Sequence, residues 1–589
     1  MKPVNETGQS VLLRIDADEV IIMLKKILSR AAMRVMVVKG KRSLRHLEKA
    51  SHAPMKENAA LLKTILHDNR NTEYGRAHHF ADIRSVEDFR REVPINTYED
   101  FAPYIERMKK GETDLLTSSE VLGYSRTSGS SGVPKYIPAT KDSLKAYVNY
   151  TWTRALALGA EALRKQGKRY KPGRGVFLSP ATNECLPSGL PCSNIAEIGA
   201  REYGMFYPYI LTVPTRELFD MHDGDYIYNI YRFALMDEDV TFIFSVFFSI
   251  NVSQLAYLQK NWQTIVNDIR DGVISDSVQM NEALRRKLSA LIRPMPARAD
   301  YLQKQFEQGF DETLFRRLWP NLTVLCSIGN ASFKPAADYV RRFSAGVPFD
   351  FSIYGASEAL VAACCELEDT RMQLLTDSCF YEFIPAEETD DENRRLLTLD
   401  QLEDGQKYEV LITTRAGLYR YHLKDVIEVK GFRNRCPLIS FVYRKGQMFN
   451  IAGEKFSEED ARVTIEMLEK NHGITLDHWL FYQDDSVTPS RYTLLVESDA
   501  DVDWDGCIDE LEDYMGQCNK RYPGQRAKHF ISRLAVRRQQ AGTHDAWAKR
   551  CLDLGASAAQ LKPVHSLDTP EKRDFFLSRI AQQSETSQS

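Results

Sequence analysis

Near the start of the chain, Val20, Ile21, Leu24, Ile27, Leu28, Ala31 and Val35 recur at helical spacing, with Lys25, Lys26 and Arg30 among them. This pattern predicts an amphipathic helix. Such a helix can pack on the body of the protein with its basic face in water, or lie on a membrane surface. From about Asn58 to Leu116 the text stays helical, and Tyr98, Glu99 and Asp100 lead into a further short helix. No repeat of 20–50 residues recurs, which removes solenoids and propellers.

Beyond Gly132 helical stretches alternate with apolar runs bounded by Gly and Pro, as in strands and crossover helices of an α/β sheet. Leu322 to Ile328 and Val347 to Tyr354 read as buried strands, and Tyr408 to Thr414, Tyr419 to Phe432 and Leu438 to Tyr443 as further ones. The character changes at Arg444-Lys445-Gly446. Ser457 then caps a helix over Ala461 to Lys470, with Asp460 three residues on. Strands at Trp479–Gln483 and Tyr492–Val496, a helix over Ile508–Arg521 and one from Thr543 to near Gly555 complete a second, smaller α/β unit.

Composition narrows the class. With 43% hydrophobic and 27% charged residues in 589, the chain forms cores in an ordinary globular way and holds several domains. Lys and Arg number 77 against 81 Asp and Glu, a net charge of −4, so no global basic field holds nucleic acid. The ten cysteines include no Cys-x-x-Cys pair, which argues against a disulfide framework or cysteine zinc site and for a reducing compartment, the cytoplasm. Asn5, Glu6, Asp16, Asp18 and Glu19 interrupt any secretory signal. The longest apolar stretch, Val240 to Ile250, is about half the ~20 residues of a membrane span. Without an export signal the sequons at Asn251, Asn321 and Asn330 are chance matches.

Three segments carry candidate chemistry. In Arg126-Thr127-Ser128-Gly129-Ser130-Ser131-Gly132-Val133-Pro134-Lys135, glycines let backbone N–H groups curl round an anion, hydroxyls add donors and the lysine adds a mobile charge. That composition suits a polyphosphate cradle or a flexible linker, and it is neither a Walker A nor a dinucleotide-binding motif. Tyr354-Gly355-Ala356-Ser357-Glu358 follows a buried strand, where open α/β sheets bind ligands and a glutamate can hold Mg²⁺ against phosphate. Ser327-Ile328-Gly329-Asn330-Ala331 closes another strand with a turn that could approach a purine. In Tyr419-Arg420-Tyr421-His422-Leu423-Lys424-Asp425, Asp425 can accept both hydroxyls of a ribose or serve a turn. A Gly-x-Ser-x-Gly elbow and a His-Glu-x-x-His motif are both missing from the sequence, so serine-hydrolase and zinc-protease readings fall. His78, His79 and His544 read as surface or helix residues.

In this order the three segments, followed by Arg444-Lys445, resemble the adenylate-forming superfamily of acyl-CoA synthetases, adenylation domains and luciferases. Within it the chain is more similar to the Gretchen Hagen family of acyl-acid amido synthetases. The markers are Val93-Pro94-Ile95-Asn96-Thr97-Tyr98-Glu99-Asp100 with Pro103 to Arg107, Thr413 to Tyr421, Gly542-Thr543 and Gly555-Ala556-Ser557. The likeness runs from about Asn58 to about Pro563 and is thinnest between Glu161 and Pro320.

The resemblance implies an α/β fold with a large N-terminal adenylate-forming domain of mixed sheets and helices, and a smaller mobile α/β C-terminal domain. The division would be a helical extension over 1–50, an ATP- and acyl-binding domain over 51–443 and a small domain over 444–589, hinged at about 444–446. It also implies a two-step reaction. A carboxylic acid attacks the α-phosphate of Mg·ATP, pyrophosphate leaves, and an amine or amino acid displaces AMP. By this likeness Thr127, Ser128, Gly129, Ser130, Ser131, Gly132 and Lys135 would bind phosphate, and Gly329, Asn330 and Ala331 would line adenine. Tyr354 would stack on the base within the Gly355-Ala356 turn, Ser357 would serve phosphate, Glu358 the metal and Asp425 the ribose. Arg444 would mark the hinge, and Lys455 and Lys562 would place cations on the nucleotide. The chain departs from the plant pattern at Gly132-Val133-Pro134-Lys135 and at His422-Leu423-Lys424, which replaces arginine-valine-glycine. The acceptor therefore stays open between an amine and a thiol of CoA or a carrier. A catalytically silent nucleotide-binding or scaffold protein is the reading of another class. Tyr203, Phe206, Tyr207 and Tyr209 mark either an acyl pocket or core.

Overall fold

The computed structural model describes residues 17–127, 135–178, 184–193, 195–214, 224–329, 334–351, 353–388, 394–444, 451, 454, 456–487, 490–500, 502–520, 522–527, 531–554, 556, 561, 563–567 and 569–581. The N-terminal helix spans Ala17–Ser51, well past Val35, because Met33, Val37 and Leu47 carry a buried face onward. It lies against helix Trp152–Lys165 so closely that a Cβ on Gly40 would stand 1.9 Å from the Thr153 carbonyl oxygen. The short helix expected after Thr97 is Tyr98–Met108, where Thr97 and Asp100 form a capping box.

Strands Gly175–Leu178, Phe242–Phe247, Val324–Ile328 and Phe349–Asp350 form a parallel sheet in that spatial order. Helices such as Phe248–Asp271 supply the crossovers that parallel pairing requires. The apolar run Val347 to Tyr354 is divided between two sheets. Phe349–Asp350 ends the parallel sheet, whereas Ile353–Gly355 is the edge of a seven-stranded antiparallel one. Most of the run is buried, so hydrophobicity does not mark the change of sheet.

The antiparallel sheet has the order Cys379–Pro385, Lys407–Thr414, Tyr421–Arg433, Cys436–Arg444, Met372–Leu374, Leu360–Cys364, Ile353–Gly355. A separate hairpin, Val121–Thr127 with Lys135–Thr140, pairs Thr127 opposite Lys135. Arg154 ties helix, parallel sheet and antiparallel sheet together. Its Nη2 donates to both oxygens of Asp350 at 2.7 and 3.0 Å and its Nη1 to the Cys364 carbonyl, with both side chains of the ion pair fully buried.

The C-terminal part has its own core, from Phe456 to Val536, distinct from the one running from Met33 to Ile439. Strands His478–Asp484, Arg491–Glu497 and Ala535–Arg538 form its sheet, and helices Glu458–His472 and Ile508–Cys518 pack on it. Ser457 and Asp460 make the expected capping box. The mixed α/β architecture with a smaller C-terminal unit is the one the sequence predicts. Among the described residues no helix is long and apolar enough to cross a membrane.

Candidate active site

The site begins where strands Tyr421–Arg433 and Cys436–Arg444 run side by side. Asp425 and Arg444 are direct cross-strand partners. Arg444 Nε donates to Asp425 Oδ1 at 2.6 Å and Nη2 to Oδ2 at 3.1 Å, while the Tyr354 hydroxyl donates to Oδ2 at 2.6 Å. Tyr354 sits on the far edge strand of the same sheet, about 19 Å away if the strands were laid flat, so the sheet must curl to make this contact. The Tyr354 ring packs 5.7 Å from that of Phe441. Burial first, then the charge of Asp425, pushes its hydroxyl pKa well above the usual tyrosine range. The charge of Asp425 is the largest influence on Arg444 and raises its pKa.

Gly355 to Glu358 form the turn between two antiparallel strands, closed by the Ala356 N–H donating to the Ala359 carbonyl at 2.9 Å. Beyond the turn the chain continues as the strand Leu360–Cys364. The turn is pinned by the Tyr147 hydroxyl, which donates to the Ala356 carbonyl at 2.5 Å. Glu358 is buried, and its charge bears on the Tyr421 hydroxyl. Burial and then the Glu358 charge raise the Tyr421 pKa, with Arg444 opposing and Glu99 adding to the shift. Glu358, Tyr421, Arg444, Asp425 and Tyr354 therefore form one electrostatic group.

The hairpin that carries the phosphate-type loop is held beside this group. Asn96 bridges to Tyr421, exchanging backbone bonds with Arg420 and His422, which brings the following Tyr98 and Glu99 alongside. The Tyr98 hydroxyl accepts from the Tyr136 N–H at 3.0 Å, and Lys135 Nζ stands 5.3 Å from the centre of the Tyr98 ring. Glu99 has its pKa lowered first by its own backbone N–H, with Lys135 and Lys424 contributing. Thr127 and Lys135 thus mark the two ends of the loop. Ser128, Gly129, Ser130, Ser131 and Gly132 lie outside the described residues.

Other expectations divide similarly. Gly329 ends strand Val324–Ile328, and a Cβ there would meet Phe248 at 2.5 Å and Phe351 at 2.9 Å, so aromatic packing already requires a glycine. Asn330, Ala331, Lys455 and Lys562 lie outside the described residues. Their neighbours are anchored: Glu454 accepts from the Tyr492 hydroxyl and, at 2.6 Å, from the Ile451 N–H, and Phe481 N–H donates to the His565 carbonyl at 3.0 Å. Arg420 is buried on Glu382 (2.8 Å) and the Val93 carbonyl (2.7 Å), a bracing role. Lys424, where the plant pattern has glycine, adopts φ +61°, the left-handed region that glycine enters freely. The Tyr209 carbonyl accepts from Ser29 at 2.7 Å, so helix Tyr207–Ile210 docks against the N-terminal helix.

Tyr98, Tyr147 and Tyr421 are the site residues that sequence reasoning did not single out. Tyr98 and Tyr421 stand within quoted motifs, Tyr98 directly before Glu99 and Tyr421 four residues before Asp425. Tyr147 lies on helix Lys141–Tyr150, and nothing in its neighbours points to Ala356.

Comparison with known proteins places the chain among known families. The GH3 family N-terminal domain matches residues 43–349, the central domain 372–444 and the C-terminal domain 459–571. Among curated relatives, a probable indole-3-acetic acid-amido synthetase GH3.11 of Oryza sativa subsp. japonica is 26% identical, covering 90% of this chain and 94% of that protein. The 4-substituted benzoates-glutamate ligase GH3.12 of Arabidopsis thaliana is also 26% identical, covering 85% and 91%. The solved structure of AtGH3.15 acyl acid amido synthetase in complex with 2,4-DB shares the fold, with TM-score 0.78 at 22% identity over 92% of this chain and 96% of that one. An N-terminal family model covering more than half the chain, followed in order by the other two, establishes that the protein belongs to the GH3 family, and it is an ATP-using, acyl-adenylate-forming ligase of the acyl-acid amido synthetase type.

Proposed function

We propose that this protein adenylates a small carboxylic acid with Mg·ATP and passes the acyl group to an amino acid, forming an amide. The observation that carries the reading is the convergence of Asp425, Tyr354, Arg444 and Glu358 beside a Thr127/Lys135 hairpin. A carboxylate is a poor acyl donor because oxide would have to leave, whereas AMP leaves as a phosphate monoester. The protein must therefore hold polyphosphate and absorb its charge as attack proceeds.

In this reading Asp425 accepts the ribose hydroxyls and Tyr354 packs on the base. Lys135 and the loop 127–132 hold phosphate, with Ser357 beside them. Glu358 suits a hard cation: it is a buried carboxylate within electrostatic reach of the Tyr421 hydroxyl. Mg²⁺ bound there would neutralise charge on the phosphate oxygens. Gly329, Asn330 and Ala331 border adenine, and Lys455 and Lys562 bring cations from the C-terminal unit as it turns about 444–446. The amino acid acceptor is favoured over a thiol by the curated relatives, whose names specify amido synthesis or ligation to glutamate.

The test is mass spectrometry of AMP and acyl products with ATP, Mg²⁺ and a carboxylic-acid library, run with pooled amino acids, with CoA and with neither. An acid-dependent amide is the expected product. A thioester would reassign the acceptor, and no AMP with any acid would overturn the reading.

A further inference from the structure

The N-terminal helix Ala17–Ser51 has two apolar faces, and only one is used by the fold. Ser29, Met33, Val37, Gly40 and Leu47 are buried against the body. On the opposite side Leu24, Ile27, Leu28, Val35 and Val38 are 53, 50, 52, 61 and 46% exposed. At 3.6 residues per turn these five fall within roughly 100° of arc. Every side chain from Met23 to Leu28 is exposed, so this end of the helix stands clear of the body. Single exposed apolar residues need no explanation, but a stripe of five on one helix does.

Charge identifies what the stripe fits. From Val20 to Leu47 there are eight Lys or Arg residues and no Asp or Glu, in a chain whose net charge is −4. Lys25 and Lys39 fall on one flank of the stripe and Arg30, Arg34 and Lys41 on the other. Arg30 is braced by Asp239 at 3.1 Å. An apolar band bordered by cations matches a bilayer surface with anionic headgroups, where side chains enter the acyl boundary and Lys and Arg meet phosphates. A second copy of the chain is disfavoured, because isologous pairing through the stripe would set the basic flanks against each other.

We infer that the outer face of this helix seats the enzyme peripherally on an anionic phospholipid surface, without crossing it. The helix then delivers the ligase to a two-dimensional surface, where apolar carboxylic acids also collect.

The test is co-sedimentation of the full-length protein with vesicles of pure phosphatidylcholine and of phosphatidylcholine with roughly 30% phosphatidylserine. The parent should bind the anionic vesicles at least ~10-fold more than the neutral ones and be released by high salt. Leu28→Glu with Val35→Glu, and separately Lys25→Glu with Lys41→Glu, should each abolish the difference. Circular dichroism of the parent and both double variants should agree, and all should keep acid-dependent AMP formation, since none of these residues belongs to the nucleotide site. Equal binding to both vesicle types, no binding, or binding untouched by the substitutions would overturn the inference. So would light scattering that shows a dimer in the parent and a monomer in the Leu28→Glu, Val35→Glu variant, which would give the stripe to a second copy.

Discussion

Asp425 and Arg444 face each other across adjacent strands and are joined by two hydrogen bonds of 2.6 and 3.1 Å, with Arg444 the last residue of its strand. A carboxylate offers about four acceptor positions, and Arg444 with Tyr354 takes three of them. Two ribose hydroxyls would then compete with the arginine. Arg444→Gln should therefore leave the KM for ATP unchanged or lower, while slowing amide formation if the chain turns about 444–446 as proposed. Burst measurements of acyl-AMP and steady-state amide formation separate the two effects. Equal rates in both half-reactions would remove Arg444 from the site.

Asp425→Ala should raise the KM for ATP by ~10-fold or more, since hydrogen bonds to a charged acceptor contribute roughly 1.5–3 kcal/mol each. Titration of AMP formation against ATP reads this directly. An unchanged KM would end the ribose assignment.

Glu358→Gln should lower kcat on the order of 10- to 100-fold at saturating ATP, with a shifted Mg²⁺ requirement, because the cation loses an anionic oxygen. Tyr421→Phe should cost less, since it removes a neutral hydroxyl and leaves the Glu358 carboxylate in place. A Glu358→Gln enzyme with the parent's Mg²⁺ curve would place the metal elsewhere.

Asp350→Ala should destabilise the large body by about 3–5 kcal/mol, because Arg154 would be left charged and buried without its partner. Denaturant titration followed by the loss of ATP-dependent activity reports the effect. Destabilisation below about 1 kcal/mol would mean that water or another group replaces the carboxylate.

His544 opens helix Thr543–Asp553 and is buried, with its ring stacked 4.6 Å from that of His478. Burial first, then the neighbouring His478 and His565, lowers its pKa from 6.5 to about 3. The unfolded chain binds the proton more readily, so this contribution is present above pH about 6.5 and is lost as pH falls towards 3. Between pH 7 and pH 5 the loss is roughly 2 kcal/mol. Amide hydrogen exchange in residues 543–553 should accelerate over that interval in the parent and much less in His544→Phe. Identical pH dependence in both would show that His544 does not carry it.

Local pattern sufficed where one rule governed one element. Ser457 and Asp460 announced a capped helix, and the apolar runs Tyr408 to Thr414 and Trp479 to Gln483 announced strands, because caps and apolar runs are set by neighbours in the chain. The candidate motifs were legible for a related reason: a glycine- and hydroxyl-rich run ending in Lys135, and the single acid Asp425 after Tyr419-Arg420, have the composition their chemistry needs. Their order along the chain also carried the family.

What the sequence by itself determined was the list of elements, the class of chemistry and the side chains proposed to serve it. The tertiary structure alone decided which of those side chains meet. The run Val347 to Tyr354 gave no sign of changing sheets, because apolar character records burial and not pairing. Only the curl of the antiparallel sheet brings Tyr354 to Asp425, and only the fold sets the Glu358 charge near Tyr421 and joins Tyr147 to the Ala356 carbonyl. The two apolar faces of the N-terminal helix could likewise be separated only once the body had covered one. Contacts between residues 71 and 209 positions apart depend on how sheets twist and close, and no local period encodes that.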